Sequence, residues 1–146
     1  MQSIFSKQVH PFKQLAFAMG FMVLVMLGGK ALMAGGQIEN SPIYYWEVSF
    51  SALMCFGLFN CILSVPYLKR GQYFSTSLIS FAAIAVSGGF LASLLSGLSI
   101  DEAGALRWLF VVFTFSYLVF ISIVNAMRKI LEMAKKQDAR LRGEDV

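Results

Sequence analysis

Phe74 to Leu98, FSTSLISFAAIAVSGGFLASLLSGL, is a run of about 25 residues without a charge. At ~1.5 Å rise per residue such a run crosses the ~30 Å hydrocarbon core of a bilayer as a helix. Along one edge Ala85, Gly89, Ser93 and Gly97 recur at every fourth position. A stripe of small residues lets another helix backbone approach closely in lipid, so this helix requires neighbours.

Three further apolar segments supply them. Four spans are expected at about 14–35, 43–68, 73–98 and 105–128, arranged as an antiparallel all-α bundle that forms a single transmembrane domain over residues 1–146. The share of charged residues, 14%, is well under the roughly 25% of soluble domains. Four spans with short connections use nearly all of the chain and leave no room for a soluble catalytic module.

In chain order, residues 1–13 form a short amphipathic segment, with Ile4, Phe5, Val9 and Phe12 among Lys7, His10 and Lys13, and Pro11 stands where a helix can restart. The first apolar segment exceeds a signal-peptide h-region and is expected to be retained. Gly28-Gly29-Lys30 is expected to interrupt it, and Gly35-Gly36 to close it. Tyr44-Tyr45-Trp46 reads as an interfacial aromatic belt, Pro66 lies near the end of the second span, and Lys69-Arg70-Gly71 forms a basic turn. Ser99 and Glu102 have the spacing of a capping box for the fourth helix. That helix carries Phe110, Phe113, Tyr117 and Phe120 on one face, and then continues as RKILEMAKKQDARLR to about 142. Glu132–Lys136 and Asp138–Arg142 stand at i,i+4 spacing on this basic extension, residues 128–142.

Orientation follows from the cations. Lys7, Lys13, Lys69, Arg70, Arg128, Lys129, Lys135, Lys136, Arg140 and Arg142 fall on one side of a four-span chain, against Lys30 and Arg107 on the other. The positive-inside rule then places both termini in the cytoplasm, and the expected location is a bacterial inner membrane. The formal charge of +4 is accounted for by this topology and does not indicate nucleic acid.

Few residues carry chemistry. Lys30, Glu47, Asp101, Glu102 and Arg107 form a candidate charged cluster at the outer ends, where Lys30 and Glu47 reach similar depth and are a candidate ion pair. The plainer reading is that each charge snorkels to the interface. Asn60 and Asn125 are the polar amides of the inner halves of helices two and four, able to hydrogen-bond across the bundle or to line a hydrated path. Met22 and Met26 could offer two thioethers to Cu(I), but methionine is more commonly a filler of helix interfaces. Ile130 and Leu141, with Met127, Leu131 and Ala134, mark an apolar stripe on the extension. The neighbouring Lys135, Lys136, Arg140 and Arg142 suit anionic lipid or a partner.

Other chemistry is missing from the pattern. Cys55 and Cys61 are six apart on one helix, turned about 240° from one another and too distant for a disulfide. The single histidine, His10, completes neither a catalytic triad nor a paired haem ligation within one copy. No phosphate-cradling glycine loop or metal-ligand cluster is present in the sequence, so no cofactor or metal is expected. The function expected from the sequence is that of a non-catalytic accessory subunit, packed against a larger membrane complex or against itself. A homo-oligomeric channel or small transporter with a charged outer entrance is the alternative, and an intramembrane redox protein a weaker one.

Overall fold

A computed structural model describes residues 10–64 and 72–143. Four helices account for most of them: α1 (Pro11–Ala34), α2 (Tyr44–Ser64), α3 (Gln72–Ser96) and α4 (Ala105–Leu141). All four are long and apolar enough to cross a membrane. Most of the amphipathic segment 1–13, the basic turn 69–71 and Pro66 lie outside the described residues.

Local chemistry sets the helix ends. Proline costs nothing at the first position of a helix, where its missing N–H has no intrahelical acceptor, and α1 begins at Pro11. The His10 side chain caps it, Nδ1 accepting the Phe12 N–H at 3.4 Å. At the other end Gly36 takes φ +69°. The Gly36 and Gln37 N–H groups donate back to Met33 and Leu32 at 3.1 Å, which satisfies two carbonyls the helix would otherwise leave open. Gly97, at φ +70°, ends α3 in the same left-handed conformation, two residues earlier than the expected 98.

The expected interruption at Gly28-Gly29-Lys30 does not occur, and α1 runs unbroken to Ala34. Gly29 is instead a notch. The Tyr44 ring lies where a Gly29 side chain would be, and its hydroxyl donates to the Val25 carbonyl at 2.9 Å. A close aromatic contact and a hydrogen bond thus offset the ~1 kcal/mol that glycine costs inside a helix.

α2 is the central element, in contact with α1, α3 and α4. Its seam with α3 is close because Gly88 has no side chain: a Cβ there would stand 2.6 Å from Ser49 Oγ and 3.3 Å from Met22 Sδ. Leu53 and Ile84 fill the seam, at 0% and 1% exposure. α4 lies against α2 through aromatic rings. Phe110 meets Trp46 edge-on at 6.0 Å, Phe113 meets Phe50 at 6.0 Å, and Gly57 admits the Phe113 ring. Phe81 of α3 stacks on Tyr117 at 3.9 Å. The buried row on α4 then passes through Ile121, while Phe120, expected on this face, is 55% exposed. One residue of helical twist, 100°, separates the two.

Candidate functional site

One chain of side-chain hydrogen bonds links all four helices. The Tyr117 hydroxyl of α4 donates to Asn60 Oδ1 of α2 at 3.0 Å. Asn60 Nδ2 donates to Gln14 Oε1 of α1 at 3.2 Å, and Gln14 Nε2 donates to the Tyr73 hydroxyl of α3 at 3.4 Å. Asn60 is fully buried and Tyr117 nearly so. A buried amide left unpaired would cost a desolvation penalty of ~1–3 kcal/mol, so each bond makes the next helix's position matter. Donor and acceptor run in one direction throughout, which lets each bond polarise its neighbour. Tyr117, Asn60, Gln14 and Tyr73 are neutral amides and phenols, suited to fixing register.

Asn60 is the only member singled out from the sequence. Gln14 and Tyr73 mark helix starts and Tyr117 belongs to an aromatic face, so each has an ordinary local explanation. The signal that finds them is joint: each apolar segment carries one polar group at the level where the start of α1 meets the end of α2. Asn125, the other amide expected to bond across the bundle, is half-buried and makes no side-chain hydrogen bond among the described residues.

Along the α2–α3 seam the hydroxyls of Ser49, Ser77 and Ser80 are buried and have no hydrogen-bond partner, as does the Trp46 indole N–H. Ser77 lies beside the network, its carbonyl 3.5 Å from the Tyr117 hydroxyl. Ser49 stands against Gly88, and Leu53 and Ile84 fill the space between the two levels.

The expected small-residue stripe is displaced. Ala85, Gly89 and Ser93 are only half-buried, and Gly97 lies beyond the end of α3 in the following turn. A Cβ on Gly89 would reach only the edge of Trp46, at 3.9 Å, so the close approach belongs to Gly88, one residue over. Neither sequence row is distinguishable by residue size alone; which one is buried depends on how α3 is rotated against Ser49 and Met22.

The charged cluster expected at the outer ends also divides. Lys30 and Glu47 are exposed and form no ion pair. Arg107 pairs with Asp101 at 2.6 Å and lies over the Trp108 ring, 5.0 Å from its centroid. Glu102 accepts from the Ser99 N–H at 2.8 Å and from its hydroxyl at 3.0 Å. These bonds hold the Glu102 carboxyl below its ordinary pKa, the backbone N–H contributing most. They close a separate turn before α4 instead of capping it. The α4 N-cap is Gly104, at φ +63°, with no side-chain bond.

Methionine serves packing in α1: Met22 and Met26 are buried in the core, and Met19 Sδ accepts the Ser87 hydroxyl at 3.1 Å. Cys55 and Cys61 are not bridged to one another. Among the described residues no group of three His, Cys, Asp or Glu side chains converges on a metal-sized site.

α4 is the remaining feature. It spans 37 residues, and after Ile121 none of them is buried. Met127 is 56% exposed, Ile130 60% and Leu141 87%. Arg128 reaches Glu132 at 3.6 Å and Arg142 reaches Asp138 at 2.7 Å. Glu132 therefore pairs with Arg128 and not with the expected Lys136, while the Asp138–Arg142 pair forms as expected. Among the described residues Lys135, Lys136 and Arg140 have no carboxylate partner. Comparison with known protein families, with curated proteins and with solved structures finds no match to this chain.

Proposed function

We propose that this chain is a non-catalytic accessory subunit of a membrane complex, inserted as an antiparallel four-helix bundle with both termini in the cytoplasm of a bacterial cell. The observation that carries this reading is the second half of α4. At ~1.5 Å per residue its 37 residues extend about 55 Å, whereas about 20 suffice to span a bilayer. The excess is a helix with no buried residue and with Met127, Ile130, Leu131 and Leu141 exposed. An isolated helix this short is marginal in water, and an exposed apolar row on it is a docking face.

The partner this face suits is a protein groove that is apolar along its floor and acidic at its rim. Within residues 128–142 six cations, Arg128, Lys129, Lys135, Lys136, Arg140 and Arg142, flank the apolar row, against the carboxylates Glu132 and Asp138. Both carboxylates are already engaged by arginines. The packed α2–α3 seam favours this reading over a path through a single copy, because Leu53 and Ile84 occupy the space between its polar levels.

Truncation after Glu132 tests it. The shortened chain should insert and fold as before but lose the subunits that co-purify with the full chain in mild detergent. Ile130→Asp combined with Leu141→Asp should have the same effect. Should Gln at Lys135, Lys136, Arg140 and Arg142 abolish membrane-surface contact and leave every co-purifying subunit in place, the arm is a lipid anchor and the docking reading fails.

A further inference from the structure

Between α1 and α2 runs an open groove of about 830 Å³. Short side chains line it, Ala18 on α1 with Ser51, Ala52 and Cys55 on α2, together with the buried Met22 and Phe56. Phe17, Phe21 and Phe59 rise beside it and are exposed. The two ends differ in charge. Lys13 stands at one end, next to Gln14 of the hydrogen-bond chain, and Glu47 at the other, next to Tyr44. Among the described residues neither charge has an ion-pair partner.

We propose that this groove is a lipid site that holds an acyl chain of an anionic phospholipid, with the headgroup phosphate on Lys13. The charge asymmetry selects an amphiphile with one anionic end, because the phosphate is attracted at Lys13 and repelled at Glu47. The length agrees. From Lys13 to Val25 the groove follows twelve residues of helix, about 18 Å, close to the half-thickness of a ~30 Å hydrocarbon core. Lys13 also falls among the cations assigned to the cytoplasmic side, where the leaflet is rich in anionic lipid. The site rests on the proposed membrane insertion but not on any partner for α4.

The test uses the full chain reconstituted in bilayers of phosphatidylcholine with phosphatidylglycerol, each lipid supplied in turn as a photoreactive analogue with a diazirine on one acyl chain. The phosphatidylglycerol analogue should label peptides from 17–25 and 48–59 about fivefold more than the phosphatidylcholine analogue, the discrimination expected of one lysine near an anionic surface. Lys13→Gln, an exposed position, should bring the two to parity. Cys55→Phe should fill the groove and lower labelling by both lipids while the protein stays folded and inserted. Equal labelling of the native chain by both lipids, or unchanged preference in Lys13→Gln, would overturn the headgroup assignment. A Cys55–Cys55 cross-link between copies, with no lipid label, would show the groove to be covered by a second chain. Release of the protein by alkaline carbonate would instead remove the insertion on which the site depends, an outcome distinct from either labelling result.

Discussion

Gly28 and Gly29 are neighbours in the sequence and opposites in the structure. No atom stands within 4 Å of a Cβ built on Gly28, whereas one on Gly29 would enter the Tyr44 ring. Gly28→Ala should therefore gain up to ~1 kcal/mol of helix propensity, and Gly29→Ala should lose ~1–3 kcal/mol to overpacking, read as opposite shifts of thermal unfolding in detergent. Gly89→Ala against Gly88→Ala should divide in the same way. The Gly88 loss should be partly relieved when Ser49→Ala removes the hydroxyl in its path. Glu102 supplies a pH-dependent case. Its pKa is lowered in the folded turn by the Ser99 N–H and hydroxyl. The associated stability is therefore fully present above the unfolded value and is lost as pH falls through the folded one. Amide exchange at Ser99 should speed up across that acidic window, and Glu102→Gln should abolish the dependence.

At the scale of elements, α2 owes its central place to the variety of its faces: small toward α3 at Ser49, aromatic toward α4 at Phe50, and amide-bearing at Asn60 where the four helices meet. Asn60→Leu and Tyr117→Phe should each destabilise the bundle. The double variant should cost less than the two added together, with a coupling near the ~0.6 kcal/mol typical between transmembrane helices. Strict additivity would mean the 3.0 Å bond between them contributes nothing. α4 divides into two halves of different kind. Its first half is held by rings through Phe110, Phe113 and Tyr117, and in its second no residue after Ile121 is buried. Substitutions at Ile130 should accordingly leave the unfolding temperature unchanged, whereas Tyr117→Ala should lower it by several degrees.

For the whole molecule, an apolar outer surface distinguishes this fold from one built for water. Phe17, Leu24, Val86 and Phe115 are among the most exposed large side chains. Patches of this extent on a soluble monomer would be aggregation sites, and the proposed membrane insertion would cover them with lipid. The proposed orientation makes a prediction at this scale. With Cys55 and Cys61 replaced by Ala, single cysteines at Glu39 and Asp101 should react with an impermeant thiol reagent applied from outside, and one at Gln137 should not. The opposite pattern would invert the bundle and move the cationic arm of α4 to the outside.

Residue type and order alone determined the four helices and most of their ends. A long uncharged run has little choice in lipid, and proline, paired glycines and left-handed turns mark boundaries through backbone sterics that act within a few residues. Helix rotation was decided by tertiary contacts. Beside the expected row of small residues on α3 stands another, Gly88, Ala92 and Ser96, and only the approach of Ser49 and Met22 selected Gly88 over Gly89. The sequence offered Lys30 and Glu47 as partners by depth, but an ion pair also needs two side chains within reach of one another, and these two form none. Asn60 stood out as an amide in an apolar segment, yet its companions Gln14, Tyr73 and Tyr117 lie up to 59 residues from one another along the bonded pairs. The physical reason is common to all three cases. Helical periodicity fixes which residues share a face, whereas the rotation that turns a face inward is set by the sum of contacts with neighbouring helices, and those contacts are distant in the chain.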